Sequence, residues 1–194
     1  MLDLLWAGWR SAYIASTVEA DAAAEALAAD GAGDATRDAT SRDDGGSVFR
    51  RILASGLPDD RTHIVWRGRH CFAILNAFPY TSGHVLVMPY RQVAALEALT
   101  PEEHAELWAT VVDTVAAVKA AYHPDGVNIG ANLGRSAGAG VPSHVHVHVL
   151  PRWSGDTNFM TSVANARVMP EPLEESAGKI RRAWPAPTSG RTAP

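Results

Sequence analysis

One cysteine, Cys71, is all that the 194 residues contain. A disulfide within one chain is thereby excluded, and so is a zinc site that needs two thiolates. Long apolar runs are missing too. None approaches the roughly 20 residues that cross a bilayer, which speaks against a membrane partner. Neither sign of charge dominates: 17 Lys and Arg stand against 21 Asp and Glu, a formal net charge of −4. The chain as a whole therefore does not read as a coat for duplex DNA or another nucleic acid. The opening stretch Met1–Ser16 has no cationic start and carries Arg10 where a secretion signal would be apolar. The expectation from these absences is a cytoplasmic enzyme or binding protein, with a length that suits one domain.

What charge there is sits unevenly. Residues 18–46 hold eight carboxylates (Glu19, Asp21, Glu25, Asp30, Asp34, Asp38, Asp43, Asp44) against Arg37 and Arg42. That segment is net −6, and the remaining residues are net +2. It is rich in Ala, Asp, Gly and Thr and nearly free of large side chains, so it cannot bury enough apolar area to offset its ordering entropy. Residues 18–46 read as an acidic flexible linker and 185–194 as a flexible tail. Before the linker, residues 1–17 include Trp6, Trp9 and Tyr13, an aromatic arm that should dock onto the body or a partner subunit.

The body, 47–184, alternates strand-like and helical patterns. Ser47–Ser55 has a short helical pattern. His63–Arg67 and Cys71–Asn76 read as strands around a turn at Gly68-Arg69-His70, and His84–Pro89 as a third. Thr100-Pro101-Glu102-Glu103 is a helix start, with a capping hydroxyl, a first-turn proline and acids that complement the dipole. That helix should reach about Tyr122 and bury Leu107, Val111, Val115 and Val118. Val127–Leu133 and His144–Leu150 are further strands, and Glu174–Trp184 is a short C-terminal helix. Five strands with one long helix predict an α+β fold on a mainly antiparallel sheet.

The chemistry concentrates in Ser143-His144-Val145-His146-Val147-His148-Val149-Leu150-Pro151. A strand has period two, so His144, His146 and His148 share one face, about 7 Å apart, while the valines face the core. Three imidazoles in strict alternation are hard to satisfy as mere core residues, since each neutral ring needs both a donor and an acceptor. Two chemistries suit them: metal ligation and nucleophilic catalysis by an imidazole whose tautomer is set by its neighbours. The glycine-rich loop Gly130–Gly140, with Arg135, favours the second, because its backbone N–H groups suit an oxyanion.

This pattern resembles the histidine triad (HIT) family of nucleotide hydrolases and transferases, whose signature is His-φ-His-φ-His-φ-φ. Phe72–Asn76, Pro79 and Gly83–Pro89 are similar to the nucleoside-binding strands of its fragile-histidine branch, as is Pro151-Arg152 after the triad. The aromatic arm and Trp153–Met160 look like the bacterial diadenosine tetraphosphate phosphorylases. The resemblance implies a HIT-like fold and cleavage of dinucleoside polyphosphates at an α-phosphate, with phosphate or water as acceptor. His146 would form a nucleotidyl-histidine intermediate. His144 and His148 would flank it, contacting phosphoryl oxygens or fixing the strand, and His84 would support them from the neighbouring strand. Asn76 would bind ribose, and Phe72 and Ile74 would wall the base. Asn132 and the Gly138–Gly140 backbone would hold phosphate oxygens. Trp153 would stack on a base or pack on the arm. Magnesium would enter only with the polyphosphate, inorganic phosphate would be a co-substrate, and a homodimer or tetramer is implied.

The chain also departs from the family. Many bacterial relatives carry a Cys-x-x-Cys zinc pair where this chain has Ser47-Val48-Phe49-Arg50, and a zinc-binding histidine where it has Gln92. No structural zinc is therefore expected. A phosphate-binding glutamine that precedes the triad in some relatives is absent from Gly138–Ser143, where Ser143 or backbone N–H groups would replace it. Cys71 and His70 are adjacent in a strand and face opposite sides, so they form no dyad. His63, His70, His104 and His123 are expected to face solvent. Two alternatives stay open: a non-catalytic nucleotide-binding or scaffold protein, and a hydrolase of another nucleotide conjugate.

Overall fold

The computed structural model describes residues 46–157 and 171–186. The aromatic arm, nearly all of the acidic linker, the end of the Trp153–Met160 stretch and residues 187–194 lie outside the described residues. Within them the order is α1 (Val48–Ala54), α2 (Asp59–Thr62), β1 (Ile64–Arg67), β2 (Cys71–Leu75), β3 (Val85–Pro89), α3 (Pro101–Tyr122), β4 (Gly126–Gly130), β5 (Val147–Arg152) and α4 (Leu173–Ala183). One five-stranded sheet runs β1-β2-β3-β5-β4 with every pair antiparallel. The α+β expectation holds. The short helix α2 was not expected; Pro58 precedes it and Asp59 and Asp60 fill its first turn.

Both faces of the sheet are covered, which is why β2 and β3 are buried at every position. Cys71, Ala73, Leu75, Val85, Val87, Val147 and Val149 face one way and pack with Leu107, Val111, Ala117 and Val118 of α3 and Ala177 and Ile180 of α4. Phe72, Ile74, Leu86 and Met88 face the other way, where Phe49 of α1 joins them. This second, smaller cluster shares its face with the histidines. The register pairs Leu86 with His148 and Gly130 with His148, so His148 lies between a core strand and an edge strand.

Helix α3 starts as its sequence predicts. Thr100 Oγ1 accepts the Glu103 N–H at 3.2 Å, and Glu103 returns a carboxylate to the Thr100 N–H at 2.9 Å, a full capping box. Strand boundaries shift by one residue in β1, β2 and β3 and by more in β4 and β5. β4 ends at Gly130, beyond which the chain leaves the sheet to form the glycine-rich loop. β5 begins at Val147 rather than His144. Upstream of Val147 the ladder with β3 is not continued; Val145 instead donates its N–H to the Val93 carbonyl at 2.7 Å. His104 and His123 are exposed as expected, but His63 and His70 are half-buried. The reason lies in the turns: His63 ends α2 in the left-handed conformation, φ 59°, and the His70 N–H is bound by Glu106 from α3 at 2.9 Å.

Candidate active site

Four imidazoles gather on the histidine face. His144 and His84 are 0% exposed, His146 6% and His148 8%. Their partners determine which nitrogen carries each proton. Pro89 offers only a carbonyl oxygen, 2.8 Å from His144 Nε2, so that nitrogen is the donor. His144 Nδ1 is then an acceptor, and Ser47 Oγ donates to it at 2.8 Å. The His144 carbonyl lies 2.8 Å from His146 Nδ1, so Nδ1–H donates there. His146 Nε2 is left with its lone pair. Burial holds both His144 and His146 below the ordinary imidazole range, so both rings are neutral near pH 7.

The other pair is set from the opposite side. Tyr80 N–H donates to His84 Nδ1 at 3.1 Å, and the Asn76 amide points its Nδ2 at the same nitrogen at 3.3 Å. Asn76 is held in that orientation because its Oδ1 accepts the Phe78 N–H at 3.0 Å. His84 Nε2 must therefore carry the proton it gives to His148 Nδ1, 2.9 Å away. His148 in turn carries its proton on Nε2. The His146 and His148 rings lie 5.0 Å apart between centroids, inclined at 60°. A nitrogen lone pair thus stands beside an N–H donor, an arrangement suited to attack on an electrophile whose developing negative charge needs a donor. Phe49 lies edge-on to His144 and His146, each at 5.5 Å, and Tyr80 stacks on His148 at 5.9 Å.

Several expected contacts lie elsewhere. His144 was offered as a phosphoryl contact or a strand support; fully buried, with both nitrogens engaged, it can only be a support. Phe72 is 0% and Ile74 3% exposed, so neither can wall a base directly; Tyr90 covers Phe72, with ring centroids 5.2 Å apart. Trp153 follows β5 with the parity of the valine face and packs edge-on against Tyr122 of α3 at 6.1 Å, away from the histidines. Asn132 donates to the Gly138 carbonyl at 3.3 Å and so braces the loop. Gly138 adopts φ 86°, a left-handed conformation that glycine tolerates. Gly140 is half-buried and Ser143 exposed, both just ahead of the triad.

Sequence reasoning missed three features of the site. Ser47 binds His144 through its hydroxyl and Gln92 through its N–H. The edge strand places Gly126, Asn128 and Gly130 on the histidine face, so it contributes no bulky side chain opposite His148. The small size of Gly126-Val127-Asn128-Ile129-Gly130 at alternate positions was a readable signal. The partners of Ser47 and Gln92 had none, because they come from distant parts of the chain.

The family profile described as HIT domain matches residues 58–155, half of the chain. The chain belongs to the HIT family. Among HIT proteins, an AP-4-A phosphorylase from Mycobacterium tuberculosis is 42% identical over 128 residues, 66% of this chain and 66% of that one. The match thus spans just under two thirds of that relative's length. A bis(5'-nucleosyl)-tetraphosphatase (asymmetrical) from Schizosaccharomyces pombe is 37% identical over 95 residues, 49% of this chain and 52% of that one. A zinc-bound histidine triad family protein from Mycobacterium smegmatis superposes with TM-score 0.58 at 29% identity, over 71% of this chain and 92% of that one. The residues here do not fit such a metal. Ser47, Arg50 and Gln92 offer a hydroxyl, a guanidinium and a carboxamide. Among the described residues no group of three or more His, Cys, Asp or Glu could hold an ion.

Proposed function

We propose that this HIT protein cleaves dinucleoside polyphosphates of the diadenosine tetraphosphate type by nucleotidyl transfer through His146. The observation that carries the reading is the proton arrangement: His146 Nδ1–H is committed to the His144 carbonyl, so Nε2 keeps its lone pair beside His148 Nε2–H. His146 Nε2 attacks the α-phosphorus, a P–N bond forms, and the P–O bond to the remaining nucleotide breaks. His148 Nε2–H donates to the phosphoryl or departing oxygen as negative charge builds there. Inorganic phosphate or water then displaces His146, releasing a nucleoside diphosphate or monophosphate. The 42% identity to an AP-4-A phosphorylase supports phosphate as acceptor.

In this reading Asn132, the Gly138–Gly140 backbone and Ser143 hold phosphate oxygens at the mouth of the loop, and Asn76 meets the ribose with the second lone pair of Oδ1. His84 and His144 act through the rings they hold. The chemistry assigned to His146 needs no resident cofactor, magnesium enters with the polyphosphate, and no structural zinc is bound. A homodimer or tetramer in the cytoplasm belongs to the same proposal. Among the described residues no helix is long and apolar enough to cross a membrane.

The deciding assay incubates the protein with diadenosine tetraphosphate, with and without phosphate, and separates the products. ADP and ATP formed only with phosphate establish phosphorolysis; AMP and ATP formed in its absence establish hydrolysis. Retained binding without turnover would leave a nucleotide-binding scaffold instead. His146→Ala should abolish turnover, and full activity in that variant would refute the mechanism.

A further inference from the structure

We propose that Ser47 and Gln92 are positioning residues for His146, acting through the buried ring of His144; the catalytic part of this inference rests on nucleotidyl transfer by His146. The starting observation is where the sheet begins. β5 starts at Val147, so His144, Val145 and His146 lie outside the ladder. Among the described residues their backbone–backbone bonds are Val145 N–H to the Val93 carbonyl at 2.7 Å and a longer bond, 3.3 Å, from His144 N–H to the Val141 carbonyl. Yet the carbonyl of His144 receives the His146 Nδ1 proton. Whatever holds residue 144 therefore holds the reacting ring.

That hold comes through the His144 side chain. Its Nε2 is tied to Pro89 at the end of β3, and its Nδ1 to Ser47 at the start of α1. Ser47 is itself tied down: its N–H donates to Gln92 Oε1 at 2.7 Å. The hydroxyl geometry favours His144 over helix capping. Ser47 Oγ lies 2.8 Å from His144 Nδ1 but 3.4 Å from the Arg50 N–H that a cap would hold closely. Gly46 completes the arrangement. It has φ +67°, and a Cβ there would stand 3.0 Å from Gln92 Oε1, so a side chain at that position would crowd the carboxamide. Ser47 is 6% exposed. A buried polar chain with every member satisfied is rigid in a way that apolar packing is not. It fixes a tautomer as well as a position: the Ser47 proton requires His144 Nδ1 to be an acceptor, which keeps the proton on Nε2, where it is donated to the Pro89 carbonyl.

The test uses the full chain and three variants, Ser47→Ala, Ser47→Thr and Gln92→Leu. Long-range proton–nitrogen spectra of 15N-histidine protein read the tautomers without any substrate. The wild type should show His144 as the Nε2–H form and His146 as the Nδ1–H form. In Ser47→Ala, His146 should become a mixture of tautomers, and kcat should fall about 10-fold, the worth of one ordinary hydrogen bond, with KM nearly unchanged. Ser47→Thr keeps a hydroxyl and should restore both readouts. Gln92→Leu leaves the helix cap and the hydroxyl in place, and should move both in the same direction if Ser47→Ala fails to fold. A folded Ser47→Ala or Gln92→Leu whose His146 stays entirely Nδ1–H, or whose kcat stays at the wild-type value, overturns the proposal. Should the wild type itself show no turnover, the function assigned to His146 falls, and the spectra alone still decide whether the positioning network exists.

Discussion

Replacing His84 by phenylalanine separates the proton relay from the packing that surrounds it. A phenyl ring retains the stacking environment, since Tyr80 lies 4.6 Å and His148 5.1 Å from the His84 ring. It removes the polar contacts of the ring to Tyr80 N–H at 3.1 Å, to the Asn76 amide at 3.3 Å and to His148 Nδ1 at 2.9 Å. Two of these are well-formed neutral bonds worth about 1 kcal/mol each, so stability should fall by about 2 kcal/mol. For a chain of this size that corresponds to a Tm about 4–8 °C lower. The effect on catalysis has a different origin. His148 loses the donor that keeps its own proton on Nε2. Evenly mixed tautomers alone would halve the active fraction, and a freed ring loses alignment as well. A fall in kcat of about 10-fold is expected, bounded by the roughly 10²-fold lower limit for losing a positioned proton donor altogether. Thermal unfolding by circular dichroism and kcat on diadenosine tetraphosphate check the two halves. A Tm that drops as expected with kcat within about twofold of wild type would show that His84 supports the fold without directing the proton, and would refute the relay.

Further outcomes follow from the same geometry. Burial lowers His144 and His146, so the unfolded chain takes up protons first as pH falls below about 6.5. Stability should be full above that value and decline through the window down to the folded-state values, as equilibrium urea unfolding across pH would show. The acid limb of kcat/KM should likewise lie below about 6.5; an acid limb at or above the ordinary imidazole value would contradict the burial argument. Glu106 accepts the N–H groups of His70 and Cys71 at 2.9 and 3.0 Å, so Glu106→Ala should lower stability by about 3 kcal/mol and Glu106→Gln by about half of that, measured by urea titration. Cys71 is fully buried, its thiol pushed up to about 12, chiefly by burial and then by Glu106 and Glu103. It should ignore a thiol reagent in the native protein and react on unfolding. Gly83→Ala places a Cβ 2.6 Å from the Tyr122 ring at φ +76°. It should cost about 2 kcal/mol or more, seen as a lower Tm.

Much of the fold was legible because its signals are local. The alternation from His144 to Val149 separates core valines from histidines within six residues, and the structure keeps that division even where the ladder has not begun. Thr100-Pro101-Glu102-Glu103 marked the start of α3 because capping involves residues three apart. The strand assignments of β1, β2 and β3 succeeded for a similar reason, since apolar runs between turn residues are read in place. Misplacements arose where a neighbour decided. Phe72 and Ile74 carry the composition of a pocket wall, yet Tyr90, Phe49 and the rest of their cluster cover them. Trp153 looked free to stack on a base until Tyr122 claimed it. His63 and His70 looked like exposed turn residues, yet both are half-buried.

The sequence by itself therefore determined which residue types stand together on one face of a strand, and with them the family and the class of chemistry. It could not determine where any proton sits. Each imidazole has two tautomers, and the choice is made by what faces each nitrogen. For His144 the partners lie 55 and 97 residues away, for His148 the partner lies 64 residues away, and Ser47 is held from 45 residues away. Only the folded chain brings those groups within 3 Å, and with residue 144 held by them the His146 Nδ1–H meets the His144 carbonyl and Nε2 keeps its lone pair.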